Sequence, residues 1–421
     1  MVKGSRARGA ETVAETAAFV LQALPVLQVL RVLRAAGIAA LIAVTGAVFV
    51  RPETASANPP DSNWSSDFGP RGCDSTVEDV IVWNGHLVAT GYFIQAGNAA
   101  ANGVAMWDGT EWCALGEGID GVGKALVEFG GDLIVAGQFT AAGGVACSNI
   151  ARWDGNAWHP LGSGTDANIG SMAVLGSNLY VGGAFDAAGG VTCHKIARWN
   201  GSSWSSMGSG ISGSVPIVYA VAVHNNEVYI GGQFTTAGGA PCNNVARWTG
   251  TTWFPLGSGT NLGCSSLYSY GGTLVAGGAF TTAGGANTPH VARWNGSSWS
   301  AMGSGFDGWV QHFCTYSGSL VALGSFENSG GTSTPFMARW TGSAWAAYSG
   351  GPDDNCYGGV EWLGNLYIGG RFTQVGTGTA SYITRFDGST FEHCGQPPAA
   401  GIRGTAVVFA EFQGELVAAE R

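Results

Sequence analysis

An arginine stands one residue ahead of an aromatic ring six times along the chain, at Arg152, Arg198, Arg247, Arg293, Arg339 and Arg385. Guanidinium groups returning at one register suit carboxylates, sulfates or sugar acids, which they grip through paired N–H donors. The register also suits a structural use, in which the stem lies along a ring and the head donates to carbonyls of the next repeat. The strict repetition favours the structural use, and Met106 in the equivalent slot of the first copy agrees with it. Other reactive types are scattered. The seven histidines (His86, His159, His194, His224, His290, His312 and His393) fall mostly at different offsets. There is no His-Glu-x-x-His, no histidine pair at ligand spacing and no Gly-x-Ser-x-Gly, so zinc and serine hydrolysis have no motif to rest on. Asp353-Asp354 with Glu361 is a modest acidic cluster. Glycoside cleavage needs two acids converging from different strands, and loop solvation accounts for the cluster equally well. Calcium-loop spacing is missing. No metal and no cofactor is expected.

Nine cysteines lie between Cys73 and Cys394. An odd number leaves at least one unpaired, and no Cys-x-x-Cys occurs, so scattered structural cysteines are the plainer reading. A Cys242–Cys264 bridge is the one pairing expected here.

The elements that would position these groups are written in a repeat. Trp-x-Gly-x-x-Trp recurs at Trp107/Trp112, Trp153/Trp158, Trp199/Trp204, Trp248/Trp253, Trp294/Trp299 and Trp340/Trp345, and Phe386/Phe391 replaces the pair in a seventh copy. Successive first members are 46, 46, 49, 46, 46 and 46 residues apart. A phenylalanine precedes each pair in constant register: Phe93, Phe139, Phe185, Phe234, Phe280, Phe326 and Phe372. One unit parses into four short strands: residues 218–223, a tight turn at Asn225-Asn226, residues 227–234, a Gly-rich loop over 235–243, then 244–248 and 252–256. Asp-Gly or Asn-Gly between the third and fourth strands, as at Asp108-Gly109 and Asn200-Gly201, reads as a two-residue hairpin turn. Four antiparallel strands per unit make one propeller blade. A lone blade cannot bury both faces, so blades must stack until a ring closes, with the paired rings filling the space between neighbours. The expected fold is all-β, a β-propeller of seven four-stranded repeats plus a partial eighth.

The whole unit, Gly-Gly-x-Phe-Thr-x-x-Gly-Gly … Ala-Arg-Trp-x-Gly-x-x-Trp-x-x-x-Gly-Ser-Gly, resembles kelch-type propellers in the Gly-Gly doublet closing the second strand (Gly182-Gly183, Gly231-Gly232, Gly277-Gly278, Gly369-Gly370). It is more closely similar to secreted bacterial repeat proteins and to the extracellular propeller of fungal cortical polarity markers. The resemblance spans roughly residues 64–421. The aromatic pair departs from kelch spacing, being five residues apart where kelch has seven, so kelch biology does not transfer. What the resemblance implies is a fold and a surface location, with no catalytic residues attached.

The two ends carry further expectations. Ala35–Val50 is uncharged and mostly apolar, Arg31 and Arg34 precede it, and Ala55-Ser56-Ala57 is a small-x-small cleavage site. Residues 1–57 therefore read as a secretory leader and 58–421 as the propeller, an uncleaved membrane anchor being the alternative. Trp64–Gly69 resembles an isolated fourth strand, and residues 405–419 the first two strands of a partial unit over 400–421. Eight blades with one defective, seven with a spare hairpin, and a truncated chain all remain open. Beyond residue 57 the chain has 12 basic against 25 acidic side chains. That net negative charge repels phosphate backbones and anionic lipid, so neither nucleic acid nor a membrane surface is an expected partner.

Strand alternation puts the short first-to-second and third-to-fourth turns on one rim and all the long loops on the other. Function concentrates on such loops. That looped rim also carries the departures from the repeat: a three-residue insertion near Ser212–Val215, Trp309 with His312, and Pro352-Asp353-Asp354. Trp309, His312, Asp353 and Asp354 are the candidate binding residues, and no catalytic residue is nominated. The expected function is a secreted or surface-associated binding module for a glycan or protein. A secreted lyase or glycosidase working on the same rim, and an architectural envelope protein, are the alternatives.

Overall fold

The computed structural model describes residues 72–393 and the backbone of two further strands, Ala406–Phe412 and Glu415–Glu420. The leader, its anchor alternative, Trp64–Gly69 and Cys394 lie outside the described residues. Among the described residues there is no helix. Seven four-stranded antiparallel sheets follow one another, each built from consecutive strands in simple meander order. Blade I comprises Val77–Trp83, His86–Gly91, Val104–Trp107 and Trp112–Ala114. Blade VII comprises Cys356–Trp362, Asn365–Gly370, Ile383–Phe386 and Phe391–His393. The first strands of the seven blades stand side by side around a central channel, and that of blade VII packs on that of blade I. The described residues form a closed seven-bladed β-propeller.

Closure uses the bond that joins five of the other six pairs of blades. At those junctions the backbone N–H of the residue entering the next blade donates to a carbonyl in the loop of the blade behind, as in Ile119 to Asn102, Thr165 to Ser148 and Thr260 to Asn243; the same slot between blades VI and VII holds Pro352, which has no N–H. The Cys73 N–H donates to the Ser381 carbonyl at 3.0 Å in the same way. Blade VII therefore meets blade I with no intervening unit. Among the described residues the 406–420 hairpin pairs with itself and with no strand of the ring, so seven complete blades are followed by a partial eighth unit, as expected.

The apolar core is divided among the seven interfaces. Seven separate clusters of buried side chains each draw on two neighbouring blades, blades I and VII included. Each register phenylalanine is at most 3 % exposed. The tryptophan pairs lie across the third and fourth strands with centroids 5.0–5.5 Å apart. The second indole of five of the six pairs donates to the blade behind: Trp158 to the Leu115 carbonyl, Trp204 to Leu161, Trp253 to Met207, Trp299 to Leu256 and Trp345 to Met302; Trp112 Nε1 has no partner among the described residues. Burial of the ring and pairing of its N–H are thus met by one contact.

Local chemistry departs from the sequence reading at three places. The Trp-x-Gly-x-x-Trp connection is a four-residue loop, because Trp107 pairs directly with Trp112. The aspartate or asparagine inside it accepts from two backbone N–H groups, as Asp108 does from Thr110 and Glu111, and only the glycine has positive φ, +103° at Gly109. The two-residue turns lie between the first and second strands, where Asn225 and Asn226 take φ of 47° and 60°. The long loop between the second and third strands folds back as a small hairpin, Thr236–Ala237 on Ala240–Pro241 in blade IV. Finally, Cys242 and Cys264 are separate thiols. Cys242 is buried in the cluster between blades III and IV and Cys264 in that between blades IV and V, so a sheet stands between them. Burial pushes the Cys264 and Cys314 thiols up to about 12, which keeps them unreactive at neutral pH.

Candidate functional site

The repeat arginines sit on the third strand and turn to their own blade. Arg152 bonds Asp132 at 2.5 Å and Arg247 bonds Glu227 at 3.0 Å, both on the second strand. Arg198 and Arg293 donate to Ser205 and Ser300, and Arg385 pairs with Glu392, all on the fourth strand. Arg247 also covers the Phe254 ring. Arg339 lies opposite Ala346. The partners are same-blade side chains, where carbonyls of the next blade were expected. The reason is geometric: a residue on an interior strand meets the cross-strand residues of its own sheet first.

The central channel, about 660 Å³, is lined by the seven first strands. Each of these strands carries a β-bulge near its start, and the residue beyond the bulge turns toward the next blade. Asp79 accepts from the Leu126 N–H at 2.8 Å and the Val80 N–H at 2.9 Å, and Ser171 accepts from Val221 at 3.0 Å. His312 holds the same position in blade VI, against Gly359 of blade VII. The Asp79 and Ser171 side chains satisfy backbone donors on the open edge of the neighbouring strand, whereas the backbone contact of His312 with Gly359 favours the protonated ring. Burial raises the Asp79 carboxyl to about 6 and holds the His312 imidazole down at about 4. Glu78 is ion-paired to Lys124 at 2.7 Å, and Lys124 also reaches the Tyr92 hydroxyl. Glu361 accepts from the Ser317 N–H and stands three residues further along its strand than the position matching Asp79, about 10 Å away along the channel. Every channel carboxylate is thus engaged by the wall.

A prediction follows for Asp79. An aspartate whose folded pKa exceeds its unfolded value binds its proton more tightly when folded, so its contribution is full below about pH 4 and is lost as pH rises through 6. His312 works in the opposite sense, losing stability as pH falls from 6.5 toward 4. The effect of Asp79 is therefore read as a difference. Asp79→Asn should gain on wild type by about 2 kcal/mol between pH 4 and pH 7.5, measured as urea midpoints across that range. A constant difference would contradict the raised carboxyl.

A second cavity, about 1020 Å³, opens on the looped rim between blades IV and V and extends to the first residues of blade VI. Its walls come from the departures noted in the sequence. The inserted Gly213-Ser214-Val215 forms one side, Asn261-Leu262-Gly263 the floor of the blade IV–V connection, and Trp309 with Gln311 the far side. Tyr219, Ser265 and Gln311 line both this groove and the channel, so the two spaces meet. Val215, Tyr219, Leu262 and Trp309 are 68 %, 39 %, 52 % and 52 % exposed. No charged residue lines the groove.

The structure separates the four candidate residues. Trp309 stands in the groove; His312, three residues on, faces the channel. Asp353 lies two blades away from the blade V floor, and its Oδ1 accepts from the Thr373 and Gln374 N–H groups at 2.9 Å each. That is a repeat role. Asp74, Asp120, Asp166 and Asp307 clamp the corresponding small hairpins in the same way, and the 46-residue register of these aspartates was readable from the start. Asp354 pairs with Arg371 at 3.1 Å. Tyr219, Asn261, Leu262 and Gln311 were missed, because only closure of the ring brings three blades to one groove.

No protein-family model matches the sequence, and no curated protein is similar to it. Solved structures of similar shape include the extracellular domain of a one component system from B. thetaiotaomicron (TM-score 0.50, 10 % identity, 73 % of this chain), of which this chain spans 39 %. The WD40 β-propeller domain of Doa1 (TM-score 0.47, 11 % identity) and the computationally designed Ika8 protein (0.49, 14 %) are each covered over 95 % of their length, by 77 % and 83 % of this chain. At these identities the likeness concerns the fold alone.

Proposed function

We propose that this propeller is a secreted or surface-associated binding module that recognises a glycan or a protein through the looped-rim groove between blades IV and V. The observation that carries the reading is one of placement. Among the described residues, four of the ten exposed large hydrophobic side chains surround this groove, and it is built from the segments that break the repeat. Exposed rings and aliphatics bounding a concave, amide-lined space are the anatomy of a recognition site. Scaffold residues elsewhere obey the repeat and are occupied in holding it.

Catalysis on the same rim is the weaker reading, since the described carboxylates of the channel serve backbone donors or an ion pair. A glycan array and a pull-down, both run with the full chain, test the proposal. Retention of a defined glycan or protein partner, lost when Leu262 and Trp309 are both changed to Ser, is the expected result. Retention that survives the double change would overturn the groove as the site, and no retention in either assay would favour the architectural alternative.

A further inference from the structure

We infer that the groove takes an uncharged saccharide, stacked on Trp309 and hydrogen-bonded by the amides around it; this rests on the groove being the binding site. The argument begins with the hairpin clamp. At that register the chain has Asp74, Asp120, Asp166, Ser212, Asn261, Asp307 and Asp353. Five are aspartates, and the two neutral members stand at the entries to blades IV and V, the pair of blades that form the groove. The equivalent groove between blades II and III is bordered by Asp120 and Asp166, and the one between blades I and II by Glu117 and Asp120.

Neutralisation has not cost the clamp its work. Asn261 Oδ1 still accepts from the Thr281 and Thr282 N–H groups, at 2.9 and 3.0 Å, and Ser212 bonds Thr236 and, through its carbonyl, the Thr235 N–H. The two clamps nearest this groove are uncharged, and their hairpins are still held, by the Asn261 side-chain oxygen in blade V and by the Ser212 carbonyl and hydroxyl in blade IV. In a chain with 25 acids against 12 bases beyond residue 57, a lining without charge selects the ligand by its neutrality. An acidic ligand finds no cation, and a cationic one finds no carboxylate.

The remaining chemistry fits a sugar. Saccharides present apolar C–H faces and a rim of hydroxyls. Trp309 and Tyr219 offer flat rings to the faces, with cost in side-chain entropy held low by two rotatable bonds each. The amides of Asn243 and Gln311 keep donor and acceptor capacity, as hydroxyls require: Asn243 gives one hydrogen to the Ser258 carbonyl and Gln311 Oε1 has no partner among the described residues, whereas both ends of Asn261 are held by the hairpin. The volume, about 1020 Å³, is at the upper end for sites that enclose small ligands and suits a short oligomer.

The test is calorimetric titration of the full chain with neutral gluco-, xylo-, manno- and N-acetylglucosamine oligosaccharides of several units, and with oligogalacturonate as the charged counterpart. At least one neutral series should bind. Trp309→Ala should weaken it by about tenfold or more, and Trp309→Phe should retain most of it. Trp309 is half exposed, so the thermal midpoint of both variants should stay at the wild-type value, and Tyr92→Ala, on blade I, should bind as wild type. Binding of oligogalacturonate alone, neutral binding indifferent to Trp309→Ala, or no saccharide binding would overturn the inference. A protein partner identified by pull-down and lost in Trp309→Ala would sink the saccharide while leaving the groove as the binding site. Saccharide binding unaffected by every change in the groove would sink both.

Discussion

Gly232→Ala is expected to destabilise the propeller by at least about 3 kcal/mol, the full effect of adding one methyl group. Gly232 closes the second strand of blade IV, opposite the bulge in the first strand. A Cβ built there would lie 2.1 Å from the Ile217 carbonyl oxygen and 3.0 Å from the Val218 Cα. Both are backbone atoms, so no side chain can rotate to relieve the clash. The same geometry holds in all seven blades, at Gly91, Gly137, Gly183, Gly232, Gly278, Gly324 and Gly370, each with a first-strand or adjoining carbonyl oxygen within 2.4 Å. This is why the second member of the Gly-Gly doublet recurs: the bulge that turns Asp79 and its equivalents toward the next blade drives backbone into the facing strand. Gly250→Ala is the control. That glycine has φ of +98° with nothing within 4 Å, so only about 1–2 kcal/mol of backbone strain is at stake. Urea unfolding followed by circular dichroism ranks the two. Equal midpoints would refute the bulge argument.

Trp204→Ala should cost about 3–5 kcal/mol, and Trp204→Phe about 1–2 kcal/mol. The indole is 7 % exposed and donates to the Leu161 carbonyl at 2.9 Å. Its pyrrole edge is packed by both Gly162 in the linker from blade II and Gly189 in its own small hairpin. Removing the ring empties an interface and leaves a carbonyl without its donor. Phenylalanine keeps most of the packing and loses the bond. Each blade contacts only its neighbours, so the damage begins at the blade II–III boundary. Hydrogen exchange should show first opening there, and uniform protection across the seven blades would argue against a local seam. Because Trp204 is far from the groove, saccharide affinity of Trp204→Phe measured well below its melting point should match wild type.

These results separate two uses of one repeat. Glycine, tryptophan and phenylalanine at fixed register serve the ring, and so do most of the groups that resemble chemistry. The arginines pair within their own blade, Asp353 clamps a hairpin, and Asp79 satisfies the edge of a neighbouring strand. The groove differs in lying where the register is interrupted. An insertion at residues 213–215, an asparagine in place of an aspartate at 261, and Trp309 each change one blade and leave the others alone.

The amino-acid sequence by itself determined the strands, the blade and the need for a ring. Those follow from local alternation and from rings too large to leave in water, and both are written within some 46 residues. Trp309 was also legible, because a departure from a strict repeat shows against its neighbours. Tertiary structure alone decided that the ring closes at seven, through the Cys73–Ser381 bond. It also decided that Val215, Leu262 and Trp309, from three different blades, border one space, while His312 and Asp354 face elsewhere. The physical reason is range. Strand and turn preferences act over a few residues, whereas the distance between loops of separate blades is set by the angle at which sheets stack, summed around a closed circle.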